Sequence, residues 1–189
     1  MELACSVISE SKGHDRGLFD KLVEKHHKQA YNVAYRMSGN HSDAEDLTQE
    51  AFIRAFRFFK NYKQDMPFER WLYRIMLNVF IDKLRRKPAA VIWSLDAPIN
   101  TEEGEFRREI ADEEAGPEEV LLARERDDRL QEALETIPDV YRITVIYVDI
   151  EGFSYEEIAR MLDLPEGTTK SRLHRARMVV KEKLKKVLS

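Results

Sequence analysis

Residues 154–177 leave the backbone few choices, because the start of one helix, its end and the start of the next are all written in side-chain chemistry. Ser154 followed by Glu157 is a capping box, in which each side chain satisfies a backbone N–H of the other. Tyr155, Ile158, Ala159 and Leu162 then recur at helical spacing. Asp163 and Leu164 fill a tight turn, and Pro165 suits the first turn of a second helix, where it has no N–H to lose. That helix carries Lys170, Arg172, Arg175 and Arg177, with Leu173 and Ala176 left to pack inward. The pattern predicts a short helix docked under a basic one, the arrangement that enters a DNA major groove. The competing reading is a merely solvated basic face. The tail weighs against it: from Pro165 to Ser189 eight basic residues meet only Glu166 and Glu182, giving +6. A field of that sign on one face attracts phosphates and releases counterions.

The whole chain is acidic, at −4 over 189 residues with a pI near 5.8, which argues against a protein that simply coats DNA. The charge is segregated. Arg70 to Lys87 sums to +5, whereas Ile99 to Glu119 holds nine acids against Arg107 and Arg108, or −7. The length suits one domain or two small ones. A single cysteine, Cys5, excludes an internal disulfide and a cysteine zinc cage, and fits a reducing, cytoplasmic compartment. Leu3-Ala4-Cys5-Ser6 is similar to a lipoprotein cleavage box, but no apolar run precedes it. No stretch approaches the roughly 18 apolar residues of a membrane span, so no membrane insertion is expected. No glycine-rich phosphate loop is present, and no cofactor is implied.

Residues 1–16 are expected to fray. Phe19, Leu22, Val23, His26, Ala30, Val33, Ala34 and Met37 predict a helix from about Gly17 to Met37. His26 and His27 are adjacent and point to different sides of it, so no metal site is read there. After a break at 38–41, Ser42 and Glu45 read as a second capping box for a helix reaching about Phe59. Capping explains Glu45. It does not explain why Asp46, Gln49, Glu50 and Phe52 lie together beside the apolar stripe; a partner surface does. Residues 61–67 form a loop. Phe68 to Lys87 is a third helix, in which aromatics interleave with basic residues, as stacking on unpaired bases requires. For Trp71, plain core and base platform are both open on pattern alone.

Residues 89–118 read as an acidic linker, although Val91, Ile92, Trp93 and Leu95 are too apolar for a passive spacer. A charged amphipathic helix follows to Thr136. Val140 to Ile150 is rich in β-branched residues, which favour strands. A lone strand among helices has nothing to pair with, so a helix starting at Pro138 is expected, ending at Glu151-Gly152. The fold class is all-α: two small helical domains, at 17–88 and 119–189, joined by a flexible acidic linker.

This order of parts resembles the extracytoplasmic-function (ECF) sigma factors of the sigma-70 family over roughly Gly17 to Lys186. Three segments carry the resemblance: Asp43 to Phe56 (DAEDLTQEAFIRAF), Phe68 to Ile75 (FERWLYRI) with Asn78, and Gly152 to Ala159 through Gly167 to Leu173 and Arg175 to Arg177. It implies that 17–88 is region 2 and 119–189 is region 4. It implies that Asp46, Gln49, Glu50 and Phe52 grip the β′ clamp helices of core RNA polymerase, with the β flap as a further contact. The loop 61–67 and the helix after it then capture an unpaired base of the −10 element, through Trp71, Tyr73, Arg74 and Asn78. Lys170, Ser171, Arg172, His174, Arg175 and Arg177 read promoter DNA at −35. An anti-sigma factor and a stress response are the usual company of the family. Two elements about two turns apart lie roughly 70 Å from each other, so a 30-residue linker, with a relaxed span of about 30 Å, must be drawn out.

Two other readings stand beside this one. A stand-alone helix-turn-helix regulator has no reason to carry the Asp43–Phe56 segment. A metal-dependent nuclease using Asp43, Glu45 and Asp46 would cleave DNA on addition of magnesium.

Overall fold

Alanine sets how closely the first helices approach one another. In the computed structural model, which describes residues 2–63, 65–86 and 128–188 (side chains from Arg16 to Lys185 among them), α1 spans Glu2–Ser38, α2 His41–Phe58 and α3 Phe68–Arg86. Ala30 and Ala34 of α1, and Ala44, Ala51 and Ala55 of α2, are fully buried. With only a methyl group at each, the helices pack at short range and Met37, Leu47, Leu72, Met76 and Leu77 fill the core. Thr48 is buried at the same seam and donates its hydroxyl to the Ala44 carbonyl at 2.7 Å, so no polar atom is stranded there. Around the start of α3 the packing turns aromatic: Phe19, Phe59, Phe68 and Trp71 meet edge to face or tilted, with centroids 5.0–6.5 Å apart.

Two helix starts differ from the sequence reading. α1 begins at Glu2, so the backbone is helical through residues expected to fray. No proline precedes Phe19, and extending an existing helix costs far less than nucleating one. α2 begins at His41 with Asn40 as its cap, not with a Ser42–Glu45 box. The Asn40 side chain accepts the Asp43 backbone N–H at 2.9 Å and donates to the Asp43 carboxylate at 2.8 Å. Asparagine is among the strongest caps, and Gly39, at φ 78°, turns the chain into it.

The chain divides into two compact units, Met1–Pro88 and Ala89–Ser189. The acidic stretch and the Val91–Leu95 segment lie outside the described residues. In the second unit residues 128–135 are helical (α4), followed by α5 (Asp139–Val145), α6 (Tyr155–Leu162) and α7 (Glu166–Leu188). No strand occurs among the described residues. The β-branched run is helical as expected, and its last five residues, Ile146–Ile150, widen into a π-turn closed by the Glu151 N–H on the Ile146 carbonyl at 2.9 Å. Burial overrides strand propensity: Ile143, Thr144, Val145, Ile146 and Tyr147 are all inside. Arg142 is buried beside Asp139, 3.1 Å away, and burial pulls its guanidinium below the ordinary arginine range.

Candidate functional site

Three faces collect the residues singled out from the sequence. The first is an open groove of about 1050 Å³ between α1 and α2, lined among others by Phe19, Val23, His27, Gln49, Phe52 and Phe56. Asp46 and Gln49 are exposed on α2. Phe52 is almost covered, its ring stacked on His27 at 5.9 Å, so it shapes the groove floor. Glu50 is half-buried and pairs within the protein. It accepts Arg54 Nε at 2.8 Å, and Arg54 Nη1 donates to Asp82 on α3 at 2.9 Å. Asp82 first, and Glu50 second, raise the Arg54 guanidinium above its ordinary range. Sequence reading missed the rim of this groove. Ile53 and Phe56 are 42% and 52% exposed, and their position on the outer side of α2 was legible in the spacing.

The second face is on α3 and the loop before it. Trp71 is half-buried, with Tyr62 against it at 5.0 Å, so it belongs to the aromatic cluster and still shows a part of its ring. The Tyr62 hydroxyl donates to the Met66 carbonyl at 2.8 Å and latches the loop onto that cluster. Burial, with Glu69 nearby, raises the Tyr62 phenol. Arg74 and Asn78 lie three and seven residues beyond Trp71, on the same side of the helix, and Asn78 is exposed. Tyr73 does not join them. It is 5% exposed and packs in the core, because a step of two residues turns a side chain by some 200° around a helix.

The third face is the hairpin of α6 and α7. The capping box expected at Ser154 is complete: Ser154 N–H donates to Glu157 at 2.9 Å, and Glu157 N–H donates to the Ser154 hydroxyl at 3.2 Å. Asp163 ends α6 in the left-handed region at φ 54°, which Asp tolerates better than most residues. The Pro165 carbonyl accepts the Thr169 N–H at 3.1 Å and opens α7. Leu173 and Ala176 are buried, which turns Lys170, Ser171, His174 and Arg175 outward. Arg172 is half-buried.

Arg177 is held by a partner within the protein. It makes a two-pronged ion pair with Asp149 of the π-turn, one bond at 2.9 Å, and Asp149 chiefly raises its pKa. An arginine already holding a carboxylate bidentately braces the hairpin before it meets any phosphate. Lys170 lies 2.6 Å from Glu166, one turn earlier, and 5.8 Å over the Tyr155 ring. Glu166 raises the Lys170 ammonium above its usual range. No group of three potential metal ligands occurs among the described residues, and no described helix is long and apolar enough to cross a membrane.

Known proteins resemble this chain in both units. Residues 22–89 match the family described as Sigma-70 region 2, and residues 127–179 match Sigma-70, region 4. The ECF RNA polymerase sigma factor SigE of Mycolicibacterium smegmatis is 40% identical over 168 residues, 89% of this chain; the chain spans only 62% of that relative's length. The ECF RNA polymerase sigma factor SigW of Bacillus subtilis is 34% identical over 179 residues, covering 94% of this chain and 95% of its own. Among solved structures, the sigma factor RpoE bound to the anti-sigma factor NepR from Bartonella quintana shares the fold. Its TM-score is 0.60 at 24% identity, over 88% of this chain and 96% of that one.

Proposed function

This chain belongs to the ECF RNA polymerase sigma factors, and we propose how its surfaces divide the work of starting transcription at a promoter. A sigma factor binds core RNA polymerase and confers promoter choice; the family is not one of enzymes in the catalytic sense. The stand-alone regulator is not favoured by the relatives.

In this reading 17–88 acts as region 2, 119–189 as region 4, and 89–118 joins them. The α1–α2 groove takes the β′ clamp helices, with Asp46 and Gln49 as polar contacts and Phe52 beneath them. The β flap meets the second unit. Glu50 acts at one remove, through Arg54. On α3, Trp71, Arg74 and Asn78 form the edge that receives an unpaired −10 base. Tyr73 supports this edge from the core. A base held in a protein pocket offsets unstacking, which costs a few kcal/mol. On α7, Lys170, Ser171, His174 and Arg175 face the −35 element, where each good bidentate contact discriminates by about 1–3 kcal/mol. Arg172 reaches the flanking phosphates, and Arg177 positions the helix. The protein works in the cytoplasm, under restraint by an anti-sigma factor that covers the same groove, and serves a stress response.

The observation that supports this most is the exposed apolar rim of the α1–α2 groove beside Asp46 and Gln49, a surface suited to a protein partner. Run-off transcription with purified core polymerase tests it. The wild-type chain is expected to direct specific transcripts from a promoter library, and Asp46→Ala with Gln49→Ala to lose both co-purification with core and the transcripts. Retention of core binding by that double variant overturns the assignment.

A further inference from the structure

Glu166 is an acid in the first turn of a largely basic reading helix, where the helix dipole favours it and where it would also stand close to bound DNA. It sits in the row Glu166, Lys170, His174, spaced four residues apart and all exposed. This is the face that the buried Leu173 and Ala176 turn outward. Its carboxylate Oε1 is 2.6 Å from Lys170 Nζ. An acceptor and a donor are therefore held side by side at the first turn of α7, where a recognition helix meets base edges.

The major-groove edge of a G·C pair presents two adjacent acceptors on guanine, N7 and O6, then one donor, the cytosine N4 amine. O6 and N4 are bonded to each other and so lie about 2.9 Å apart, close to the Glu166–Lys170 spacing. From this match we infer that Glu166 and Lys170 together read one G·C pair of the upstream element, Lys170 donating to guanine and Glu166 accepting from cytosine. An A·T pair fits worse. Its donor, adenine N6, also lies beside an acceptor, thymine O4, but that amine separates the two acceptors N7 and O4, so the ammonium cannot bridge them as it can the adjacent N7 and O6 of guanine, and the thymine methyl crowds O4.

Gly167 adds an independent observation. A Cβ built on it meets nothing within 4 Å, and its φ is not in the left-handed region. Among the described residues neither packing nor backbone geometry asks for glycine here, as is also so at Gly17, although glycine is a weak helix former. Glycine is the residue that admits close approach by another body, and here the bare backbone lies next to the Glu166–Lys170 pair.

The inference rests on α7 being the −35 reader, and the experiment separates the two ideas. Reconstituted holoenzyme is run on a library randomised through the upstream element, with Glu166→Ala, Lys170→Ala and His174→Ala side by side. Glu166→Ala is expected to lower the preference for G·C at one base-pair position by on the order of tenfold. Lys170→Ala is expected to act at the same position, and the other positions are expected to hold. Thermal melting of each variant shows that the exposed substitutions leave the fold intact. If His174→Ala shifts preferences but Glu166→Ala leaves every position unchanged or weakens all sequences alike, the paired reader is wrong and the recognition helix stands. If none of the three shifts any upstream position, both fall.

Discussion

The large apolar side chains left in water among the described residues, Leu18, Ile53, Phe56 and Phe58, all belong to the first unit. The outward row of α7 in the second unit carries Glu166, Gly167, Lys170, Ser171, His174 and Arg175, with no large apolar group. A protein partner repays exposed hydrocarbon by covering it. DNA presents a charged, hydrated surface, and its complexes are polar and wet. In the proposed division of work, what the α1–α2 groove leaves uncovered thus suits a protein partner, and what the outward face of α7 leaves uncovered suits DNA. The interiors differ as well. The first unit is seated on an alanine seam and an aromatic cluster, with its Glu50–Arg54–Asp82 ion pairs at the edge, whereas the second carries charge inside, at the buried Arg142 paired with Asp139, and braces α7 with the Arg177–Asp149 pair.

The difference can be broken by substitution. Leu72→Ala opens a cavity at the seam of the first unit and is expected to cost about 2–5 kcal/mol, read by denaturant unfolding. Asp149→Ala removes one polar latch of the second unit at a partly solvated site, and about 1–2 kcal/mol is expected. Should Asp149→Ala cost as much as Leu72→Ala, the contrast between an apolar seat and lighter polar latches fails. Phe56→Ser sharpens it from the other side. Stability should fall by only about 1 kcal/mol, because half the ring is already in water while the other half packs on Phe19. Association with core polymerase, followed by co-purification, should fall.

Much of this was legible in the sequence where the signals are local. The hairpin of α6 and α7 is fixed by a cap, a turn and a proline within a dozen residues, and both bonds of the cap are present. Local signals also compete: Asn40 takes the α2 start because it sits two residues closer to the break than Ser42. The faces of α3 were harder to read, because nearly every position from Phe68 to Phe80 tolerates burial. Tyr73 and Trp71 separated only once the neighbouring helices chose a side. The partners of Arg177 and Arg54 were beyond reach of any local pattern, since Asp149 and Asp82 each lie 28 residues away in the chain. Glu166 was counted only as a charge opposing the basic tail; its row on α7 becomes visible when burial fixes the helix's rotation.

Glu50, Arg54 and Asp82 tie α2 to α3 by charge alone. Hydrocarbon contacts in a core respond little to dissolved ions, but a fastening of this kind relaxes as ionic strength rises. That part of the α2–α3 contact can thus weaken in the medium around the protein, while the buried alanine seam stays indifferent to it.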